Sequence, residues 1–196
     1  MPDASALRAD ARRNREAVLD AARTAFAAEG LSVPLDEIAR RAGVGPGTLY
    51  RHFPTKEALF EAVVHDRLCR LASEGAALRE SPDPGAAFFT FIERLAAEAA
   101  PKRDLFDALA GAGVEIGPGV MAAVDDLRAQ ITHLLGQAQQ AGAVRADIGS
   151  ADLTALLSGM LLAVRPRPGA DSERVLSVFT DGLRPRRVAG QRKFAR

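Results

Sequence analysis

The sequence predicts an all-α fold of about nine helices, and three observations support this prediction. First, 47% of the 196 residues are hydrophobic, with Ala and Leu abundant, and both favour helices. Second, apolar residues recur at three- and four-residue steps, which is the spacing of one helix face. Third, Gly and Pro clusters such as residues 81–85 separate these segments, while strand signals are scarce.

Residues 38–59 predict two short helices joined by a glycine turn. Pro34 is suited to the first turn of a helix over residues 34–42, because the amide it lacks would be unpaired there. Gly43 is suited to the left-handed conformation that closes this helix. The apolar positions are spaced so that both helices share one core, and they are Ile38, Ala42, Val44, Leu49 and Phe53.

The second short helix is expected to turn polar side chains outward. Phe53 precedes a proline and is therefore pushed out of the helical region, which ends this helix early. Thr55 is suited to cap the next helix, which begins at Lys56. A short exposed helix behind a turn is how a helix-turn-helix reaches the DNA major groove, although the turn alone also fits a plain helical hairpin. The polar side chains that can reach phosphates or base edges are Tyr50, Arg51, His52 and Lys56.

Residues 14–64 resemble the DNA-binding domain of TetR-family transcriptional regulators. Residues 15–30 are similar to the first helix of the family, and residues 38–44 and 47–59 to its helix-turn-helix. These segments cover about a quarter of the chain. The resemblance implies a homodimer that binds a near-palindromic operator in double-stranded DNA, usually as a repressor that a small-molecule effector releases. A cytoplasmic location is expected because a single cysteine, Cys69, fits a reducing compartment.

The resemblance also implies site residues. Thr48, Tyr50 and His52 match family positions that touch phosphates or base edges, and Lys56 matches a phosphate contact. Because Pro46 and Gly47 replace larger polar residues of some members, base readout is expected from Tyr50, from Arg51 and from DNA shape. The predicted DNA-binding residues are Gly45, Pro46, Gly47, Thr48, Tyr50, Arg51, His52 and Lys56.

The expected domains are a helix-turn-helix domain over residues 1–55, with a disordered arm over 1–12, and a helical domain over 56–184 for ligand binding and dimerisation. A basic tail over residues 185–196 is expected to be disordered. The helices are predicted over residues 14–29, 34–42, 56–79, 84–100, 102–109, 121–141, 152–164 and 172–183, with the very short helix of the helix-turn-helix following Pro46 and ending before Phe53.

By resemblance, the second domain encloses an effector pocket, and its last two helices form the dimer interface. An apolar stripe at helical spacing is, however, usually plain core, and this alternative stays open for the pocket. The candidate pocket residues are Phe88, Phe91, Leu105, Phe106, Met121, Val124, His133 and Met160. The candidate interface residues are Leu153, Leu156, Leu157, Met160, Leu161, Val175, Leu176, Phe179 and Leu183.

Charge gives only a local argument for DNA binding. The net charge is +1, and residues 1–56 hold nine Lys or Arg against seven Asp or Glu, so affinity must come from the placement of side chains. Arg12, Arg13 and Arg15 precede or begin the first helix. They could reach phosphates, or they could lie solvated on a frayed arm.

Several function classes find little support in the sequence. The single Cys69 excludes an internal disulfide, and no apolar run approaches the roughly 18 residues of a membrane span. We expect no cofactor, no metal site and no membrane partner, since no nucleotide loop or ligand spacing is visible. A helical enzyme is therefore disfavoured. The remaining alternative is a helical protein-interaction bundle without specific DNA binding.

Overall fold

The computed structural model describes residues 4–99, 117–163 and 171–185, with side chains over 9–98, 117–160 and 171–185. These residues form eight α-helices and one short 3₁₀ turn at Gly30–Ser32, which confirms the all-α prediction. The helix predicted over residues 102–109 and the tail over 186–196 lie outside the described residues. The helices are α1 (Ala4–Glu29), α2 (Leu35–Arg41), α3 (Pro46–His52), α4 (Lys56–Leu78), α5 (Pro84–Ala99), α6 (Pro118–Gln140), α7 (Ser150–Ala163) and α8 (Ser172–Leu183).

The first helix is longer than predicted. It begins at Ala4 rather than at residue 14, so the expected disorder of the arm is wrong for residues 4–12. This stretch is rich in Ala and contains no Gly or Pro, and it therefore favours a continuous helix. Ion pairs one turn apart on the helix join Arg13 to Asp10 and Arg12 to Glu16.

The chain forms two compact units. The first comprises residues 1–71 and 101–126, and the second comprises residues 72–100 and 127–196. The predicted first domain, residues 1–55, lies within the first unit, which also takes in most of α4 and the start of α6. In the part of the chain described here, no helix combines the length and apolar character needed to cross a membrane.

A single apolar core joins α1, α2, α3 and the first half of α4. Phe26 of α1 and Phe60 of α4 meet in it, with ring centroids 5.8 Å apart. The predicted shared core is confirmed, since Ile38, Leu49 and Phe53 are buried. Ala42 and Val44 are half-buried against the same cluster.

The ends of the short helices follow the predicted turn chemistry. Gly43 adopts φ +69°, and its N–H donates to the carbonyl of Arg40 at 3.2 Å. Thr55 caps α4, because its Oγ1 accepts a hydrogen bond from the N–H of Ala58 at 3.1 Å. Pro34 stands immediately before α2 and accepts from the N–H of Ile38 at 3.2 Å. The three turns thus set where α2, α3 and α4 begin and end.

The second unit packs α5 tightly against its neighbours. A Cβ built on the buried Gly75 of α4 would lie 2.9 Å from Cζ of Phe91 and 3.0 Å from Cβ of Gln130. The absence of a side chain at position 75 therefore lets α4, α5 and α6 approach one another at this point.

The loop after α6 fastens the end of α8. The N–H of Arg145 donates to the carbonyl of Leu183 at 2.9 Å, and Gln139 Nε2 donates to the carbonyls of Arg145 and Ile148. The guanidinium of Arg184 lies 4.5 Å from the ring centroid of Phe89 in α5. Within the second unit, these contacts hold the carboxyl end of α8 against the loop after α6 and against α5.

The positive φ of Gly43 predicts a sharp difference between Gly43 and Gly47. Ala at position 43 would have to adopt a left-handed backbone, so Gly43→Ala should lower the free energy of unfolding by about 1–2 kcal/mol. Gly47 lies within α3, has no positive φ, and a Cβ there would meet no atom within 4 Å. Gly47→Ala is therefore the matched control and should be at least as stable as the wild type in urea denaturation, because alanine favours a helix over glycine. Equal stability of both variants would contradict this account of the turn.

Candidate nucleic-acid interface

The predicted DNA-binding residues form one exposed surface around α3. Leu49 is fully buried and anchors the helix, while Tyr50 on the following position is 44% exposed. Arg51 and His52 are exposed as well, and Thr48 is half-buried. Because Leu49 is buried on one side of α3, the polar side chains on the other side face the solvent.

The turn before α3 is open to a partner. Gly45, Pro46 and Gly47 are exposed, and a Cβ on either glycine would meet no atom of the chain within 4 Å. Gly45 also has an ordinary backbone conformation, with φ −68° and ψ 145°. Packing within the chain therefore does not require glycine at position 45 or 47, and the small residues leave space where another molecule could approach the backbone.

Tyr50 is linked to α2 through Asp36. Partial desolvation, the negative charge of Asp36 and a hydrogen bond to its carboxylate raise the pKa of Tyr50 above its ordinary value of 10.0. The neutral hydroxyl has one proton, and the carboxylate of Asp36 accepts it in this state. A phosphate oxygen or a base acceptor would take this proton in place of Asp36.

Arg51 and Lys56 have partners on the backbone. Arg51 Nε donates to the carbonyl of Gly47 at 3.0 Å, which aligns the side chain along α3. Lys56 Nζ donates to the carbonyl of Leu31 at 2.7 Å, so this half-buried ammonium ties α4 to the turn after α1. Lysine has three N–H donors, and two remain for other acceptors. Both residues therefore keep positive charge beside the surface.

The arginines of α2 are neutralised by carboxylates. Arg40 donates twice to Glu37, both at 2.7 Å, and Arg41 donates to Glu37 and to Glu29. The hydrogen bonds from Arg40 and Arg41 lower the pKa of Glu37 to about 2. This network braces α2 against the end of α1 and leaves little net charge there.

The structure distributes the candidate pocket residues over both units. Phe88 and Phe91 are buried in the second unit, which also contains the exposed His133 and the buried Met160. Met121 and Val124 belong to the first unit, where Met121 is exposed and Val124 half-buried. Leu105 and Phe106 lie outside the described residues. Because the Phe91 ring packs closely on Gly75, it acts as core in this state, and the pocket stays a prediction.

The candidate interface residues line two sides of α7 and α8. Leu153, Leu157, Met160 and Leu183 are buried within the second unit. The half-buried members are Val175, Leu176 and Phe179, and the side chain of Leu161 lies outside the described ones.

The other side of α7 and α8 is open. Leu156 is 50% exposed, and the neighbouring Val178, absent from the predicted set, is 68% exposed. A cleft of about 280 Å³ lies here, lined by Arg145, Ile148, Leu156, Val178, Phe179, Gly182 and Leu183. None of the six described candidate pocket residues lines it.

Sequence reasoning missed contacts between distant positions. The pairing of Lys56 with a backbone carbonyl and of Tyr50 with Asp36 leaves no trace in local spacing, because the partners come together only through the tertiary fold. Val178 could have been found, since it extends the apolar spacing of α8.

Family comparisons match both parts of the chain. Residues 18–63 match the model "Bacterial regulatory proteins, tetR family". Residues 83–185 match the C-terminal domain of SbtR-like transcriptional regulators. Each part of the chain thus matches a model of transcriptional regulators.

Individual relatives match over most of their length. The chain is 30% identical over 189 residues to the HTH-type transcriptional regulator UidR of Escherichia coli strain K12, covering 91% of this chain and 93% of that one. A TetR transcription regulatory protein of Mycobacterium vanbaalenii has a TM-score of 0.75 and 47% identity, with 91% and 99% covered. The regulator SCO0520 of Streptomyces coelicolor has a TM-score of 0.74 and 38% identity, with 88% and 99% covered.

The ion pairs of Glu37 predict an acid-dependent loss of stability. The pKa of Glu37 in the folded chain, about 2, lies below its ordinary 4.5, so the unfolded chain binds more protons. The stabilisation is present above pH 4.5 and is lost as the pH falls toward 2. Glu37→Gln should therefore reduce the drop in Tm between about pH 5 and about pH 2.5, measured by circular dichroism.

Glu93→Gln is the matched control for this measurement. Glu93 is exposed on α5, and the described side chains include no ion-pair partner for it. This variant should follow the wild-type profile. A Glu37→Gln profile parallel to the wild type would show that the α2 network does not contribute to stability.

Proposed function

Since this chain belongs to the TetR family of DNA-binding transcriptional regulators, we propose that it is a repressor released from a near-palindromic operator by a small-molecule effector. Repression and release by an effector are typical of the family. Membership of a regulator family implies a non-enzymatic role. Our proposal includes a cytoplasmic location, which a regulator of chromosomal DNA requires.

The observation that carries the DNA-binding role is the exposed polar side of α3 on a buried anchor. Leu49 and Phe53 are buried and anchor the helix in the core. The side chains of Tyr50, Arg51 and His52 are exposed to solvent. In our proposal Tyr50 and His52 contact phosphates or base edges, as helix-turn-helix side chains do. Arg51 is the candidate for bidentate readout of guanine, because its terminal guanidinium nitrogens extend beyond the bond to Gly47.

The homodimer is proposed to form through α7 and α8. Exposed Leu156 and Val178 stand on the open side of these helices, beside the cleft. A two-fold axis there would bury both apolar side chains against their counterparts, as a self-complementary interface requires. Such a dimer presents two recognition helices to successive major grooves about 34 Å apart.

The effector is proposed to act through the second unit, by binding beside Phe88, Phe91 and Met160. These residues are closely packed in the described state, so an effector would have to favour a different arrangement of the helices around them. A tenfold change in operator occupancy requires that the effector prefer this state by about 1.4 kcal/mol.

The proposed function is tested by titrating the protein against the DNA upstream of its own gene. Tyr50 is the only Tyr and the chain has no Trp, so its fluorescence reports on α3 alone. Free tyrosine titrated in parallel corrects for absorption by the DNA. A saturable change with this DNA and none with a shuffled duplex supports a specific regulator. The absence of sequence-specific binding would favour the protein-interaction bundle instead.

Tyr50 supplies a variant that separates DNA contact from folding. Tyr50→Ala should weaken specific binding by about 1–3 kcal/mol, because it removes a hydroxyl donor and an exposed ring from α3. Anisotropy of labelled operator DNA measures the loss, and sedimentation should show an unchanged dimer. Unchanged operator affinity would remove Tyr50 from the DNA contacts.

The proposed dimer predicts a monomeric variant. Leu156→Glu places a charge on a side chain that is half exposed in the protomer, so the chain should fold, while the dimer would have to bury that charge. Analytical ultracentrifugation should find a monomer, and circular dichroism should find wild-type helicity. Ala129→Glu, on an exposed position of α6, is the control and should stay dimeric. A dimeric Leu156→Glu would place the interface elsewhere.

A further inference from the structure

Ion pairing neutralises most of the described arginines of α1 and α2. Along α1 and α2, each of five arginines has a carboxylate partner within 4.0 Å, so it adds little net positive field at its position. The pairs are Arg12 with Glu16, Arg13 with Asp10, Arg23 with Asp20, Arg40 with Glu37, and Arg41 with Glu29 and Glu37.

Three cationic residues differ from these arginines. Among the described side chains up to position 56, Arg15, Arg51 and Lys56 have no carboxylate partner within 4.0 Å. Arg51 and Lys56 already belong to the proposed DNA-binding surface. Arg15, on α1, does not, and its charge is equally uncompensated.

Arg15 is held beside the end of α3. Its guanidinium carbon lies 5.6 Å from the ring centroid of Phe53, the buried residue that follows α3. The ring of His52, in turn, lies 6.2 Å from that of Phe53. Cation–π contact with an aromatic ring orients the guanidinium while its N–H donors stay available at the edge. The three uncompensated cations therefore gather around α3 and the start of α4.

We propose that Arg15 is a DNA phosphate contact, oriented for this role by the ring of Phe53. The proposal rests on the proposed DNA-binding function and extends its surface onto α1. A phosphate that approached Arg12 would also meet the negative charge of Glu16, whereas the described side chains place no carboxylate against Arg15. The exposed side chain of Arg15 can reach a phosphate without first breaking an ion pair.

A mixed-sequence duplex tests the proposal, because phosphate contacts do not depend on base sequence. Binding of a fluorescein-labelled duplex of about 30 base pairs is measured by anisotropy over a series of salt concentrations, for the full chain and its variants. Loss of one phosphate contact should lower the slope of log K against log salt by about 0.9. Arg15→Ala should therefore bind about eightfold more weakly at about 0.1 M salt.

Arg12→Ala is the matched control, since it removes one positive charge from the same helix about one turn away. It should leave the salt slope at the wild-type value. Arg15→Lys keeps the charge but loses the planar group, so it should keep the slope and bind with intermediate affinity. Arg15→Ala also removes a contact with the ring of Phe53 and could therefore lower the Tm. In that case, the salt slope of Arg15→Lys is compared with that of the wild type instead.

The possible results distinguish a failure of the Arg15 contact from a failure of the proposed DNA-binding function. A slope change in Arg15→Ala alone, with the slope retained in Arg15→Lys, supports the phosphate contact. An unchanged slope in Arg15→Ala would overturn the inference alone, and so would equal changes in Arg15→Ala and Arg12→Ala, which would show an effect of overall charge. Absence of salt-dependent binding by the wild-type chain would overturn the proposed function and the inference together.

Discussion

The proposed DNA-binding surface depends on the buried core that joins α1, α2, α3 and α4. With seven residues, α3 is far too short to be stable as an isolated helix, since helices below roughly 12 residues are marginal in water. Leu49 and Phe53 are buried in the shared core and supply the stability that the helix lacks. The orientation of the polar side chains on its other side follows from this anchoring.

The placement of charge matters more here than its amount. The whole chain carries a net charge of +1, which gives no general attraction to DNA. Carboxylates cancel the arginines of α2, and Glu37 alone binds two of them. Arg51 and Lys56 instead bond to backbone carbonyls, which keeps their charge while limiting their motion. Among the described side chains up to position 56, the cations without a carboxylate partner therefore lie on or beside α3.

In the second unit, α7 and α8 pack their inner residues into the core and expose apolar side chains on the other side. Phe91 fills the space above Gly75, and the loop bonds of Arg145 hold the carboxyl end of α8 in place. Because their inner residues are buried in this way, α7 and α8 can expose Leu156 and Val178 on a firm support. Close packing also means that binding of an effector and movement of helices would have to occur together.

The sequence by itself determined the family, the turns and, except at the start of α1, the approximate bounds of the described helices, because these depend on local chemistry. Gly43 required a left-handed turn, Thr55 capped the next helix, and the periodicity of residues 172–183 gave the bounds of α8. Only the tertiary structure decided the partners of individual side chains. Lys56 meets Leu31, which is 25 positions away, and Arg15 meets Phe53, so no local pattern could reveal either contact. Burial likewise separated exposed Leu156 from buried Leu153, because it depends on which neighbouring helices cover each face.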